Sequence, residues 1–152
     1  MPAKLSKPRS YEAVRQFSIF VENKVGRLLE IINLFGERNI HVVALTTLDT
    51  SDSTILRMVV DDPESARQLL HEHAIAHTET EVLVVELDGV EQMQSALCVI
   101  LQAEINIHYA YAFLSRPQGK SALCIHLEDP DIAAQALISN KYPILSQRDI
   151  SR

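Results

Sequence analysis

Phe17-Ser18-Ile19-Phe20-Val21-Glu22-Asn23-Lys24-Val25-Gly26-Arg27-Leu28-Leu29 is the stretch on which the reading of the fold turns. Its first five residues are short, apolar and bounded by turn-type residues, which favours a strand over one and a half turns of helix. Beyond it, Val25, Leu28, Ile32 and Phe35 recur at helical spacing, with Leu29 and Ile31 widening the stripe, so the helix must lie on a sheet. Asn23 stands where an N-cap is expected, able to accept from a first-turn amide, and Gly26 removes a side chain where those amides point outward. Two readings follow. Either the pair only caps a helix and permits a tight turn, or it leaves a concavity at the positive end of a helix, suited to a carboxylate or phosphate.

Outward from this stretch, 152 residues with 47% hydrophobic content suffice for one compact unit or two small ones. A formal net charge of -6 and the absence of basic runs beyond Lys4, Lys7 and Arg9 exclude a phosphate-backbone binder, so no nucleic acid partner is expected. Residues 1–13 read as a solvated tail with Pro2 and Pro8; no run is long enough for a signal peptide or membrane span, and a cytoplasmic protein is expected. Cys98 and Cys124 lie inside apolar segments, which predicts buried, reduced thiols.

An internal repeat organises the rest. Asn39-Ile40-His41 returns as Asn106-Ile107-His108 and Asp62-Pro63 as Asp129-Pro130, both 67 residues on (106 − 39 and 129 − 62). The same spacing pairs Leu34 with Leu101, Leu56 with Leu123, Ala66 with Ala133 and Leu70 with Leu137, and on this reading needs no gap. The first unit, 14–80, reads as a strand to Val21, a helix Val25–Arg38, strands 41–48 and 54–60, a helix opened by Pro63 and a short strand near 77–80. In the second of these hairpin strands Arg57 places Ile55, Arg57 and Val59 on the more open face, opposite Leu56, Met58 and Val60. The second unit, 81–152, repeats the order with strand 82–87, helix 91–103, strand 105–114, a turn at 115–119, strand 121–127, helix 131–139 and strand 144–146. Both are βαββαβ, an α+β fold of two tandem ferredoxin-like units packed side by side.

The run from Phe17 to Leu28, followed by Asn39-Ile40-His41-Val42-Val43-Ala44-Leu45-Thr46, resembles an ACT domain, and two in tandem would span about 14–150. The resemblance implies a non-catalytic regulatory module that binds an amino acid between paired units. Exposed sheet edges favour further pairing between chains, so a homodimer is expected, and since no catalytic domain is attached, any regulated metabolic enzyme is expected to be a separate protein; no cofactor, metal or membrane is implied. Carried onto this sequence, the ligand loop is Asn23, Lys24, Val25, Gly26, Arg27 and Leu28, and the facing strand Asn106, Ile107, His108, Tyr109 and Ala110. At a spacing of 67, Val90 replaces Asn23 and Met93 replaces Gly26, which predicts one good site and a doubtful second one. Val21-Glu22-Asn23, Gly26, Leu34-Phe35, Leu45-Thr46 and Arg57-Met58 also resemble the regulatory small subunit of acetolactate synthase, which implies branched-chain amino acids as the alternative ligands.

Other clusters carry less. His71, His73 and His77 lack the companions of an established metal spacing and read as surface or helix-end residues. His41 and His108, at matching strand starts, are open between orienting the strand and touching ligand. Tyr109, Tyr111 and Phe113 share one strand face and read as packing between units. No nucleophile–base pair or phosphate loop points to an enzyme, and a purely structural dimerisation module remains the third reading.

Overall fold

Alternation along Val14–Glu22 sends Phe17, Ile19 and Val21 to one side and Gln16 and Ser18 to the other, and both sides are buried. This double burial sets the architecture. In the computed structural model, which describes residues 12–22, 25–114 and 120–151, the order is β1 (Val14–Glu22), α1 (Arg27–Glu37), β2 (Val42–Asp49), β3 (Ser53–Val60), α2 (Pro63–Glu72) and β4 (His77–Leu87). The second half continues with α3 (Val90–Gln102), β5 (Ile107–Ala112), β6 (Ser121–Leu127), α4 (Pro130–Ser139), β7 (Ile144–Leu145) and α5 (Gln147–Ile150). The α+β fold of two βαββαβ units is therefore as expected; only the short α5 has no counterpart in the sequence reading.

Two of the helix starts are equivalent in detail. Asp62 and Asp129 cap α2 and α4, accepting from the amides of Ser65 and Ile132, and Pro63 and Pro130 follow where no donor is needed.

The strands lie in the order β2-β3-β1-β4-β6-β5, with β7 on the flank of β4. The separate strands expected at 77–80 and 82–87 are one: the first part of β4 pairs with β1 (Ile19 opposite His77 to Val14 opposite Val82), and the later part pairs with β6 and β7. Nothing between His77 and Leu87 is a turn former, and both edges find partners, so the chain passes from one unit to the next without a break.

One face of this sheet carries the helices. Phe17, Ile19, Leu56 and Met58 pack with Ile31, Phe35, Leu69 and Leu70 in the first unit, and Leu83, Val85, Leu123 and Ile125 with Ala96, Ile100 and Leu137 in the second. The other face curls on itself. Val14, Ala44, Val59, Val82, Val84, Tyr111 and Cys124 form a third cluster between the two units, with Ile150 of α5 at one end. The expected open face of β3 is thus closed: Val59 is fully buried and Arg57 lies 4.0 Å over the Tyr109 ring. Tyr109, Tyr111 and Phe113 pack between the units as expected.

The edges β2 and β5 meet at one point, where Ala44 bridges Phe113 and the Leu114 amide donates to the Val43 carbonyl at 2.8 Å. No further backbone pair joins them among the described residues.

The repeat is real but gapped. On β3 and β6 the spacing is 67, since Val42 pairs with Val60 as Ile107 pairs with Leu127. That same match puts β5 only 65 residues after β2 (107 − 42). The left-handed residues ending α1 and α3, Asn39 and Glu104 at φ 57° and 60°, are also 65 apart (104 − 39). Asn39-Ile40-His41 and Asn106-Ile107-His108 are therefore not structural equivalents. Loops of unequal length absorb the shift, because turns tolerate insertion where paired strands do not.

Candidate functional site

Helix α1 starts after Gly26, not after Asn23. Gly26 is the N-cap at φ 83°, ψ -8°, and no side chain caps the first turn, because the left-handed backbone that turns the chain suits a residue without Cβ. Asn23 and Lys24 lie outside the described residues. A Cβ on Gly26 would meet nothing within 4 Å, so the space beside it is open.

Two concavities flank this loop. The smaller, about 300 Å³, is lined by Val21, Glu22, Arg27 and Leu28 from the loop side and by Thr47, Asp49, Thr54 and Leu56 from β2 and β3. Charges of both signs meet at a partly apolar wall. Thr54 donates its hydroxyl to Asp49 Oδ1 at 3.0 Å, and Arg27 Nη1 lies 2.8 Å from Glu30 Oε2 on the exposed surface. The larger concavity, about 510 Å³, lies toward the α2–β4 connection and is lined by Phe20, Glu22, Val25, Arg27, Glu30 and residues Ala74 to Ala76. Arg27, the first residue of α1, lines both concavities, and the amides of residues 27 to 29 have no intrahelical acceptor.

Of the loop residues singled out, Val25 is fully exposed, Gly26 forms the turn, and Arg27 and Leu28 line the smaller concavity. The facing-strand set goes elsewhere. The Asn106 carbonyl accepts from the Glu128 amide, Ile107 and Ala110 pair with Leu127 and Ile125, and His108 is the extra residue of a bulge. Tyr109 turns inward to Gln16. None of these five lines either concavity; that side is supplied by the loop's own unit, through Thr47, Asp49 and Thr54. Sequence reasoning took that hairpin for a turn only. The signal available was topological: βαββαβ order seats β3 beside β1, which brings the hairpin end to the loop.

The second loop differs from expectation. Its N-cap is Gly89, in extended backbone at φ 177°, and Met93 sits one turn into α3 rather than in place of Gly26. Only Asp88 and Gly89 separate β4 from α3, against four residues between β1 and α1.

Between the units a polar network replaces apolar packing. Gln16, fully buried, donates through Nε2 to the Tyr109 hydroxyl and accepts through Oε1 from the Tyr111 hydroxyl, both at 2.6 Å. Burial pushes the Tyr111 phenol well above its usual range and the Cys124 thiol up to about 12, so both stay protonated at neutral pH. Cys98, expected to be buried, is exposed on α3; both thiols are free. His41 has a structural role: its amide and Nδ1 each lie 2.8 Å from the Asp61 carboxylate, which orients the start of β2. His71 and His77 line a shallow groove with Glu64, Arg67 and Gln68, and no group of three metal-type side chains occurs among the described residues. No helix among them is long and apolar enough to cross a membrane.

Comparison with known proteins gives the family. The structure is similar to that of a protein from Bacteroides thetaiotaomicron, with 27% identity, a TM-score of 0.84, and 93% of this chain and 98% of that one covered. It is also similar to the regulatory subunit of aspartate kinase from Thermus thermophilus, at 15% identity and a TM-score of 0.60 over 86% of this chain and 93% of that one. The corresponding Thermus flavus subunit gives 15% and 0.56 over 85% and 92%. Among curated proteins none matches the sequence. Residues 12–152 match the ACT domain pair family, and with that match lying over two complete, fused βαββαβ units, the chain belongs to it.

Proposed function

We propose that this chain is a non-catalytic regulatory module that binds a free amino acid beside the first loop. The observation that carries the reading is the smaller concavity. Asp49 and Glu22 suit an ammonium group, Arg27 and the uncapped α1 amides suit a carboxylate, and Val21, Leu28 and Leu56 suit an aliphatic side chain. Membership of the ACT domain pair family and the likeness to regulatory subunits support a sensing role, with a homodimer as the assembly and a separate metabolic enzyme as the target. Of the readings that sequence left open, branched-chain sensing draws support from that aliphatic wall.

The test is thermal unfolding of the purified chain against each amino acid, followed by calorimetry, because a ligand that binds only the native state raises its stability. A selective response that weakens at least tenfold in Arg27→Gln and Asp49→Asn is expected. No response to any amino acid would leave the structural dimerisation module as the better reading.

A further inference from the structure

Among the described residues, a cation between the two sheets forms no ion pair. Arg57 lies on the inner face of β3, half-buried, with its guanidinium 4.0 Å over the Tyr109 ring. Stacking engages only the face of the guanidinium; its five N–H donors point from the edge. Among the described residues no hydrogen bond or ion pair engages them.

What surrounds Arg57 is hydroxyl-bearing. Thr46 and Ser18 stand directly opposite it on β2 and β1, and Thr78 stands opposite Ser18 on β4. Directly paired antiparallel residues share a face, so the row Thr46, Arg57, Ser18 and Thr78 lines one level of the inner surface. It runs from buried Ser18 to exposed Thr78.

The facing sheet adds a second donor. His126 stacks on Tyr109 at 4.9 Å, and its Nδ1 is buried with no hydrogen-bond partner among the described residues. Desolvation, then the charges of His108 and Arg57, hold this imidazole below the usual histidine range. Access follows from the seam: among the described residues β2 and β5 are joined at Ala44 and Phe113 and by the adjacent Leu114 amide to the Val43 carbonyl, beyond which Thr46 and Tyr109 lie on strands without a backbone bond between them.

We propose that the mouth between the two sheets is a second receptor, for an oxyanion (a carboxylate or phosphate group), with the Arg57 edge as its charge, Thr46 and Ser18 as neutral donors and His126 facing them. It is separate from the loop concavity, in which Arg57 has no part. A fork of guanidinium donors flanked by hydroxyls binds such a group bidentately, and the partly dry surroundings strengthen each bond.

The experiment titrates the full chain with inorganic phosphate and, separately, with acetate, at pH 7 and with ionic strength held constant by potassium chloride. With no Trp in the chain, emission reports the tyrosines, Tyr109 among them. A saturable change with either anion is expected: with phosphate alone it assigns a phosphate ligand, with acetate alone a carboxylate ligand. Arg57→Gln should weaken it at least tenfold and Thr46→Val severalfold, while Arg67→Gln, at a cation paired with Glu79 and outside both sites, leaves it unchanged. Should Arg57→Gln fold poorly, Thr46→Val and His126→Val, the latter copying the Val59 of the first unit, carry the test. A response to neither anion, or undiminished affinity in the folded variants, overturns the proposal. Amino-acid binding lost in Arg27→Gln but kept in Arg57→Gln would separate the two sites.

Discussion

The two units share one topology, and they differ at the two places where chemistry is concentrated. On their helix-facing sides the copies agree: Phe17, Ile19 and Val21 correspond to Leu83, Val85 and Leu87, as fixed by pairing of Ile19 with Leu56 and of Val85 with Leu123. On the faces that meet, they diverge. Arg57 and Val59 of β3 correspond to Cys124 and His126 of β6, and Gln16 of β1 to Val82 of β4. The loops diverge too, with Gly26 left-handed at the end of four residues and Gly89 extended at the end of two. A helix-facing side must only be apolar and the right size, so either copy satisfies it. The face between the units is asymmetric because each copy packs against the other and not against itself.

That difference is easiest to break at Gln16. Gln16→Val gives the first unit the residue of the second and leaves the buried Tyr111 hydroxyl without its acceptor, at a cost of about 3 kcal/mol in urea-unfolding free energy. Tyr111→Phe in the same chain should recover part of the loss. An additive double variant would show that the two side chains are not coupled.

The loops come next. Gly26→Ala forces a Cβ into left-handed backbone and should cost about 1 kcal/mol despite open space around it, whereas Gly89→Ala, in extended backbone, should change stability by less than about 0.5 kcal/mol. Equal effects in thermal or urea unfolding would mean that the two turns are more alike than their backbone angles. Asp62→Ala and Asp129→Ala sharpen the comparison from the opposite side. Both remove the same cap, and each should cost about 1 kcal/mol.

The smallest effect concerns an ion pair present in one copy only. Arg67 donates to both oxygens of Glu79, at 2.7 and 2.6 Å, whereas Ala134 stands in the corresponding place on α4. The Arg67 hydrogen bonds hold Glu79 below the usual carboxylate range, so the pair's contribution is present above about pH 4.5 and lost as the pH falls through the depressed folded value. Because the pair is partly exposed and screened by solvent, Glu79→Gln should cost about 0.5 kcal/mol at pH 7. The difference from the parent chain should vanish in acid.

Much of this fold was legible in order of residues. Periodicity located the helices and strands, Asp-Pro marked the starts of α2 and α4, and repetition revealed two units. Of the proposed site, the loop side was legible. Arg27 and Leu28 line the concavity, whereas the strand that the resemblance sets opposite them, 106–110, lies outside its lining. The repeated tripeptide itself is two residues out of register, because identity of three residues is weak against the pairing of a whole strand.

What the sequence determined by itself is local: the period of each element, its caps and its apolar stripe depend on residues a few positions apart. Only the tertiary structure decided that β4 runs unbroken through both units, that the face bearing Arg57 is enclosed, and that Gln16 meets Tyr109 and Tyr111. These contacts join residues up to 95 positions apart, and they depend on how far the sheet curls. Curling sums small twists over every strand, a quantity that no single stretch of sequence carries.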